Sequence, residues 1–155
     1  MARSRQRAIA ASLAVAMVVA AVAAYRATAA RALAPDPRDP DLVALGEQVY
    51  REHCASCHGV ELEGQPGWQR PLPEGGLPAP PHDADGHTWH HPDSLLFEIT
   101  KFGGQALAPP QFKSNMPAFG QTLSDAEIWA VLAFIKSRWP DEIRARQVEI
   151  TRANP

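Results

Sequence analysis

Cysteine is scarce in this chain of 155 residues, which contains two cysteines, three methionines and 7% aromatic residues. There is no second cysteine pair and no pair of histidines at finger spacing, so a four-ligand zinc finger is excluded. No basic patch is interleaved with aromatic residues, which argues against nucleic-acid binding. No internal repeat is present, which excludes a repeat architecture. Proline and glycine are frequent, with 15 and 10 residues, and predict a loop-rich domain.

Charge is unevenly distributed along the chain, although the formal net charge is only −2. From residue 39 onward, nine basic residues face sixteen acidic ones, a net charge of −7. An acidic folded part favours a basic docking surface as its partner over nucleic acid. The other six basic residues all lie before residue 39: Arg3, Arg5, Arg7, Arg26, Arg31 and Arg38.

Residues 1–25 have the pattern of a signal peptide or membrane anchor. Three arginines precede an uncharged, alanine-rich run at residues 8–25. As a helix of about 27 Å, this run falls just short of a hydrocarbon core of about 30 Å, yet it is long for a cleaved signal. We favour the anchor over cleavage at Ala21-Val22-Ala23 or Ala27-Thr28-Ala29. Because arginines stay inside, either alternative places residues 39–155 in the periplasm or at the periplasmic face of a bacterial inner membrane.

The rest of the chain divides into a proline-rich linker at 26–40, a domain at 41–140 and a charged, solvated tail at 141–155. Whether this tail forms a further stretch of helix is left open. Apolar residues recur at helical spacing in 41–53 and 93–102. A third helix begins after Ser124, where Ser124 and Glu127 have the spacing of a capping box, and Pro140 ends it. These elements predict an all-α fold.

Residues 59–92 lack helical or strand periodicity and are dense in proline and glycine, which predicts one long loop. A structureless loop of this length is unusual inside a compact domain. It is explained if the loop wraps a group that replaces side chains in the core.

The two cysteines lie in the pentapeptide "CASCH", Cys54 to His58. A C-x-x-C pair serves as a redox dithiol, as half of a zinc site or as a haem attachment site. No βαβ unit and no second ligand pair accompany it, and the adjoining His58 decides between the three. We therefore predict one covalent haem c, with thioethers from Cys54 and Cys57 and with His58 as an axial iron ligand.

Met116 is the favoured ligand on the other face of the iron. Its thioether suits low-spin iron and raises the reduction potential. It precedes Pro117 on a polar loop, "KSNMP", rather than on an apolar stripe, which argues against simple core packing. The competing candidates are histidines: His53, His82, His87, His90 and His91.

With these motifs the chain resembles the monohaem class I c-type cytochromes over roughly residues 41–140. The resemblance rests on "CASCHG", on "NMPAFG" and on the helix "LSDAEIWAVLAFIKSRW". It implies crossed first and last helices and axial ligation by His58 and Met116. It also implies that Gly46 and Tyr50 meet an aromatic residue of the last helix, which would be Trp129 or Phe134.

The resemblance further implies a proline whose carbonyl accepts the ring N–H of His58, and Pro80 or Pro81 would be that residue. Beside this proline the chain departs from the family pattern, because the usual P-x-L stretch is replaced by "PPHDADGHTWHHPD". This stretch is able to bind copper or zinc, to hydrogen-bond the haem propionates with help from Trp89, or to form a solvated loop. We favour propionate contacts and loop structure for its ligand-type residues: His82, Asp83, Asp85, His87, His90 and His91.

The predicted function is one-electron transfer between membrane or periplasmic redox partners. With both axial positions filled by protein, no open site is left for a substrate, so we expect an electron-transfer protein without catalytic residues. Two alternatives remain open. The chain is a haem-c subunit of a larger respiratory oxidoreductase, or it is a haem-based sensor or copper-handling protein that uses the histidine-rich loop.

Overall fold

The computed structural model describes residues 16–22 and 35–154. The chain divides into two compact units, residues 1–34 and 35–155. In the first unit residues 16–22 are helical, and the remainder of the predicted leader lies outside the described residues. Among the residues described, no helix combines the length and apolar character needed to cross a bilayer.

Helices are the only regular elements in the described part of the second unit, as the all-α prediction requires. A 3-10 helix at Thr88–His90 is the only regular element between residues 59 and 92, so the predicted long loop is confirmed. The α-helices are α1 (Pro40–His53), α2 (Ala55–His58), α3 (Asp93–Phe102), α4 (Gly104–Leu107), α5 (Asp125–Ser137) and α6 (Asp141–Ala153).

Helix α1 begins where Asp39 caps it. The Asp39 carboxylate accepts hydrogen bonds from the backbone N–H groups of Asp41 (3.0 Å) and Leu42 (3.2 Å), which have no partner inside the helix. Pro40 occupies the first turn, where its missing N–H costs nothing. One face of α1 is buried, and the attachment motif follows directly after the helix ends.

Helix α5 forms the centre of the core. The predicted capping box is present: Ser124 Oγ accepts from the backbone of Glu127 (3.3 Å), and the Glu127 carboxylate accepts from the backbone of Ser124 (2.7 Å). Residues 130–136 are all buried, so the helix is covered on more than one face.

The contact between α1 and α5 is the most extensive between any two elements of this unit. The backbones approach so closely at Gly46 that a Cβ there would overlap the carbonyl oxygen of Ala130. One turn further along α1, the ring of Tyr50 lies 5.3 Å from that of Phe134. Phe134 of α5 is therefore the aromatic partner of Tyr50, while Trp129 stacks on Phe97 with ring centres 4.4 Å apart.

The tail that the sequence predicts as charged and solvated forms helix α6, which has one buried side. Gln147 is fully buried, and its amide N–H groups contact His91 O (3.1 Å) and Asp93 Oδ1 (2.7 Å). Lys136 of α5, also buried, donates to both carboxylate oxygens of Asp93 at 2.8 Å. This network joins α5 and α6 to the start of α3, and the paired charges satisfy one another inside the protein.

Replacement of Gly46 by alanine tests the close approach of α1 and α5. Alanine normally stabilises a helix relative to glycine by about 1 kcal/mol. Here we expect the opposite sign, a loss of about 1–3 kcal/mol in the free energy of unfolding, because the added methyl group overlaps Ala130. Denaturant unfolding of the haem-loaded protein measures the change.

Gln48→Ala, at an exposed position of α1, is the control and should change the free energy of unfolding by less than about 0.5 kcal/mol. Stabilisation by Gly46→Ala would contradict the packing described.

Candidate functional site

A cavity of about 850 Å³ lies within the second unit, between the attachment motif and the loop that carries Met116. One wall is the buried face of α5, with Val131, Leu132 and Ile135, and another is α3, with Leu95 and Ile99. The long loop and the Met116 loop close the remainder. Large apolar side chains in this part of the lining include Trp68, Leu72 and Leu77 of the long loop, Leu107 of α4 and Phe112 of the Met116 loop.

The two cysteines border this cavity: Cys54 lies between α1 and α2, and Cys57 lies within α2. Cys54 is half-buried and Cys57 is exposed, and both thiols are free. Burial, together with the neighbouring Cys57, raises the pKa of the Cys54 thiol to about 11, so that this thiol stays protonated at neutral pH. The pair is therefore available on the cavity wall as two unbridged thiols.

His58 is held on the same wall in one defined state. Its Nδ1 lies 2.8 Å from the carbonyl oxygen of Pro80. A carbonyl only accepts hydrogen bonds, so Nδ1 carries the proton and the lone pair on Nε2 is left for a metal. Burial lowers the pKa of His58, an effect that the Pro80 contact opposes. The ring is consequently a neutral imidazole at neutral pH, the form that binds iron.

Two further contacts order the chain segments that carry His58 and Pro80. The hydroxyl of Tyr50 donates to the carbonyl of Gly59 at 2.9 Å, which ties α1 to the end of α2. Pro81, the other candidate acceptor for the His58 ring, has its carbonyl oxygen 3.3 Å from the hydroxyl of Thr88 instead. Of the two prolines, Pro80 thus contacts the histidine and Pro81 orders the loop.

Met116 lines the cavity on a loop that is fastened to the end of α3 by backbone hydrogen bonds. The N–H of Gly104 donates to Met116 O (3.1 Å), and the N–H of Phe119 donates to Thr100 O (3.1 Å). The N–H of Gly120 donates to Lys101 O at 2.9 Å. These contacts at residue 116 and just after it hold the methionine at the cavity although it lies outside any helix.

The histidines of the long loop separate into two groups. His82, His87 and His91 line the cavity, as does His53 from α1, whereas His90 does not. Burial and neighbouring histidines lower the pKa values of His82, His87 and His91, so these rings favour the neutral form.

Trp89, which the sequence suggested for the pocket, lies outside the cavity lining. Its indole N–H donates to Ala84 O at 3.1 Å, and the guanidinium of Arg146 in α6 lies 5.3 Å from the ring centre. The side chain therefore joins the histidine-rich loop to α6 through a cation–π contact and packs against the helix rather than into the cavity.

A second metal site in the histidine-rich loop gains no support from the geometry. Within the described residues, no group of three or more His, Cys, Asp or Glu side chains lies close enough to hold an ion. His87 stacks against Trp68 with ring centres 5.4 Å apart, and Asp83 accepts from the backbone of Asp85 and Gly86 at 3.0 and 3.1 Å. These side chains order the loop itself.

The lining of the cavity fits haem c. A large, flat and mainly apolar group suits a cavity of this volume with walls of Leu, Ile, Val and Phe side chains. Two thiols border it at C-x-x-C spacing, and the lining includes the His58 imidazole, whose Nε2 is free, and the Met116 thioether. Each donor is of a type that holds haem or its iron.

The family comparison agrees with this chemistry. Residues 43–139 match the family described as cytochrome c. The chain therefore belongs to the cytochrome c family and carries covalently bound haem c, and Cys54 and Cys57 have the spacing of the attachment motif.

Two curated proteins are similar to the chain. Thiosulfate dehydrogenase of Stutzerimonas stutzeri (strain A1501) is 31% identical over 66% of this chain and 29% of its own length. The cbb3-type cytochrome c oxidase subunit FixP of Bradyrhizobium sp. (strain ORS 278) is 28% identical over 72% of this chain and 37% of its own length. The similarity thus spans about a third of each relative. No solved structure matches the chain.

Sequence reasoning missed the apolar residues of the loops that complete the cavity wall. Trp68, Leu72 and Leu77 lie among prolines and glycines without helical or strand spacing, so no periodicity marks them. Their presence was itself a signal, because large apolar side chains in an otherwise polar, proline-rich loop are expected to pack against an apolar surface.

The Met116 loop should be sensitive to a single methyl group at Gly104. A Cβ at this position would overlap Ser114 Oγ and press on the Cβ of Met116. We expect Gly104→Ala to weaken the loop and to accelerate hydrogen exchange at the amides of Phe119 and Gly120. Each 1.4 kcal/mol of lost local stability makes exchange about tenfold faster.

The measurement is amide hydrogen exchange of the haem-loaded protein by NMR. Ala106→Ser, an exposed position on the same short helix, is the control and should leave both amides unchanged. Unaltered exchange at Phe119 and Gly120 in Gly104→Ala would mean that the loop does not depend on this contact.

Proposed function

We propose that the chain is a one-electron carrier in which His58 and Met116 are the axial ligands of a haem attached through Cys54 and Cys57. The observation that carries the proposal is that all four side chains line one cavity, with the attachment motif on one wall and the fastened methionine loop on another. Bound haem c supplies a one-electron Fe(III)/Fe(II) couple.

The protein's contribution to this couple is to hold two ligands in place. Pro80 fixes the tautomer of His58 and raises its basicity through the Nδ1 hydrogen bond. Backbone hydrogen bonds at Met116 and just after it hold the loop that carries the weaker thioether, a ligand that favours the reduced form. With both ligands supplied by the chain, no position is open to a substrate, and transfer of electrons to other proteins is the activity that remains.

The partners that fit best are redox proteins with a basic docking surface, since the chain from residue 39 onward carries a net charge of −7. Cys57 is exposed, so the attachment edge of the site reaches the surface where a partner can approach. We place this activity in the periplasm or at the periplasmic face of the inner membrane, with residues 41–140 as the haem domain, 26–40 as its linker and 1–25 as a signal peptide or anchor.

A haem-c subunit of a larger oxidoreductase is the second candidate. It is favoured by the similarity to a subunit of a cbb3-type cytochrome c oxidase and to a thiosulfate dehydrogenase, of which the chain covers only about a third. In that setting the same cavity and ligands perform the same electron transfer, and the partner is a neighbouring subunit. Purification from its native membrane, with or without companion proteins, separates the two candidates.

Replacement of Met116 by alanine tests the axial ligand. The oxidised wild type should show the weak near-infrared band of methionine bound to ferric iron, and reduced wild type should not bind carbon monoxide at neutral pH. In Met116→Ala we expect loss of the band, binding of carbon monoxide and a lower reduction potential, because the ligand that favours ferrous iron is gone.

The matched control is Phe112→Ala, which shortens another side chain of the cavity lining without removing a ligand atom. It should keep the near-infrared band. A band that persists in Met116→Ala would assign the second ligand elsewhere, with His53, His82, His87 and His91 as the remaining cavity candidates.

A further inference from the structure

His82 is stacked face to face on His58, the histidine proposed above as an iron ligand. The two ring centres are 4.0 Å apart and the ring planes differ by 22°. His82 also lines the cavity. A second imidazole therefore lies directly against the His58 imidazole at the cavity wall.

The side chain of His82 is anchored so that this stacking has one geometry. Its Nδ1 lies 2.7 Å from Thr88 Oγ1, and the same hydroxyl lies 3.3 Å from Pro81 O. A threonine hydroxyl has a single proton. If that proton goes to the Pro81 carbonyl, which can only accept, then His82 Nδ1 is the donor to Thr88.

The backbone of His82 is held from two further directions. Its N–H donates to Leu62 O at 2.8 Å, and its carbonyl accepts from the indole N–H of Trp139 at 2.7 Å. Trp139 and Leu62 are both buried core residues, each 2% exposed. Ring and backbone are thus tied to the core on three sides, which makes His82 a rigid support for whatever it stacks on.

From this geometry we propose that His82 is a positioning residue for the axial ligand: it sets the ring plane of His58 and, as a polar and polarisable neighbour, lowers the reduction potential of the site. The inference rests on the proposed function, since it takes His58 as an iron ligand. The direction follows from charge. Ferric iron carries one more positive charge than ferrous iron, and a polar, polarisable surrounding stabilises the more highly charged form more than an apolar one does.

The experiment compares three replacements of His82 in the haem-loaded protein, with two readouts. The midpoint potential reports the polarity of the surroundings. The NMR shifts of the haem methyl groups in the oxidised state report the orientation of the axial ring plane. His82→Leu removes both the stacked ring and its polarity, His82→Phe keeps a ring without the polar atoms, and His82→Gln keeps polar atoms without a ring.

We expect His82→Leu to raise the midpoint potential by about 59 mV, which for one electron is a tenfold change in the reduction equilibrium constant. The same replacement should alter the methyl shift pattern. His82→Phe should raise the potential but keep the wild-type pattern. His82→Gln should alter the pattern and keep the potential near that of wild type. The control is His90→Leu, the same exchange on the same loop but outside the cavity lining, which should change neither readout.

A potential of His82→Leu equal to that of His90→Leu, with an unchanged methyl pattern, would overturn the inference. If His82→Leu fails to mature with haem, Thr88→Val decides the orientation role, because it leaves the imidazole and removes its anchor. An unchanged methyl pattern in Thr88→Val would then overturn the proposal that His82 orients the His58 ring. The proposed function fails separately, if wild-type protein lacks the near-infrared methionine band.

Discussion

The site depends on the close contact between α1 and α5 at Gly46. Because glycine has no side chain, α1 lies against the carbonyl of Ala130, and Tyr50 and Phe134 meet one turn further on. The attachment motif begins directly after α1 ends, so this contact also determines where the two cysteines and His58 lie relative to the buried face of α5. A larger residue at position 46 would separate the helices and displace the attachment motif from the buried face of α5.

Around this helix pair, loops rather than helices complete the cavity. They have few regular hydrogen bonds of their own, and specific contacts replace them: Gly104 with Met116, Trp68 with His87, and Gln147 with His91. The last of these comes from α6, which lies beyond the residues that match the cytochrome c family. Helix α6 therefore supports the histidine-rich loop from behind, through a buried amide and the Arg146–Trp89 contact, while the front of that loop lines the cavity.

Local features of the sequence predicted local features of the fold. The capping box at Ser124 follows from two residues three positions apart, and it is present. The all-α fold and the long loop at 59–92 also agree with the sequence reading. The choice between Trp129 and Phe134 was not readable, because both residues lie on one helix and only the direction from which α1 arrives separates them.

By itself, the sequence determined the chemistry of attachment, because C-x-x-C-H places its donors within five consecutive residues. It also determined helices α1, α3 and α5, because capping and periodicity act over a few positions. Only the tertiary structure decided which residues surround the site. His58 meets Pro80 across 22 positions, Gln147 meets His91 across 56, and His82 stacks on His58 rather than facing solvent. Such contacts depend on how the loops close around the cavity, and local pattern carries no information about the path of a chain between distant residues.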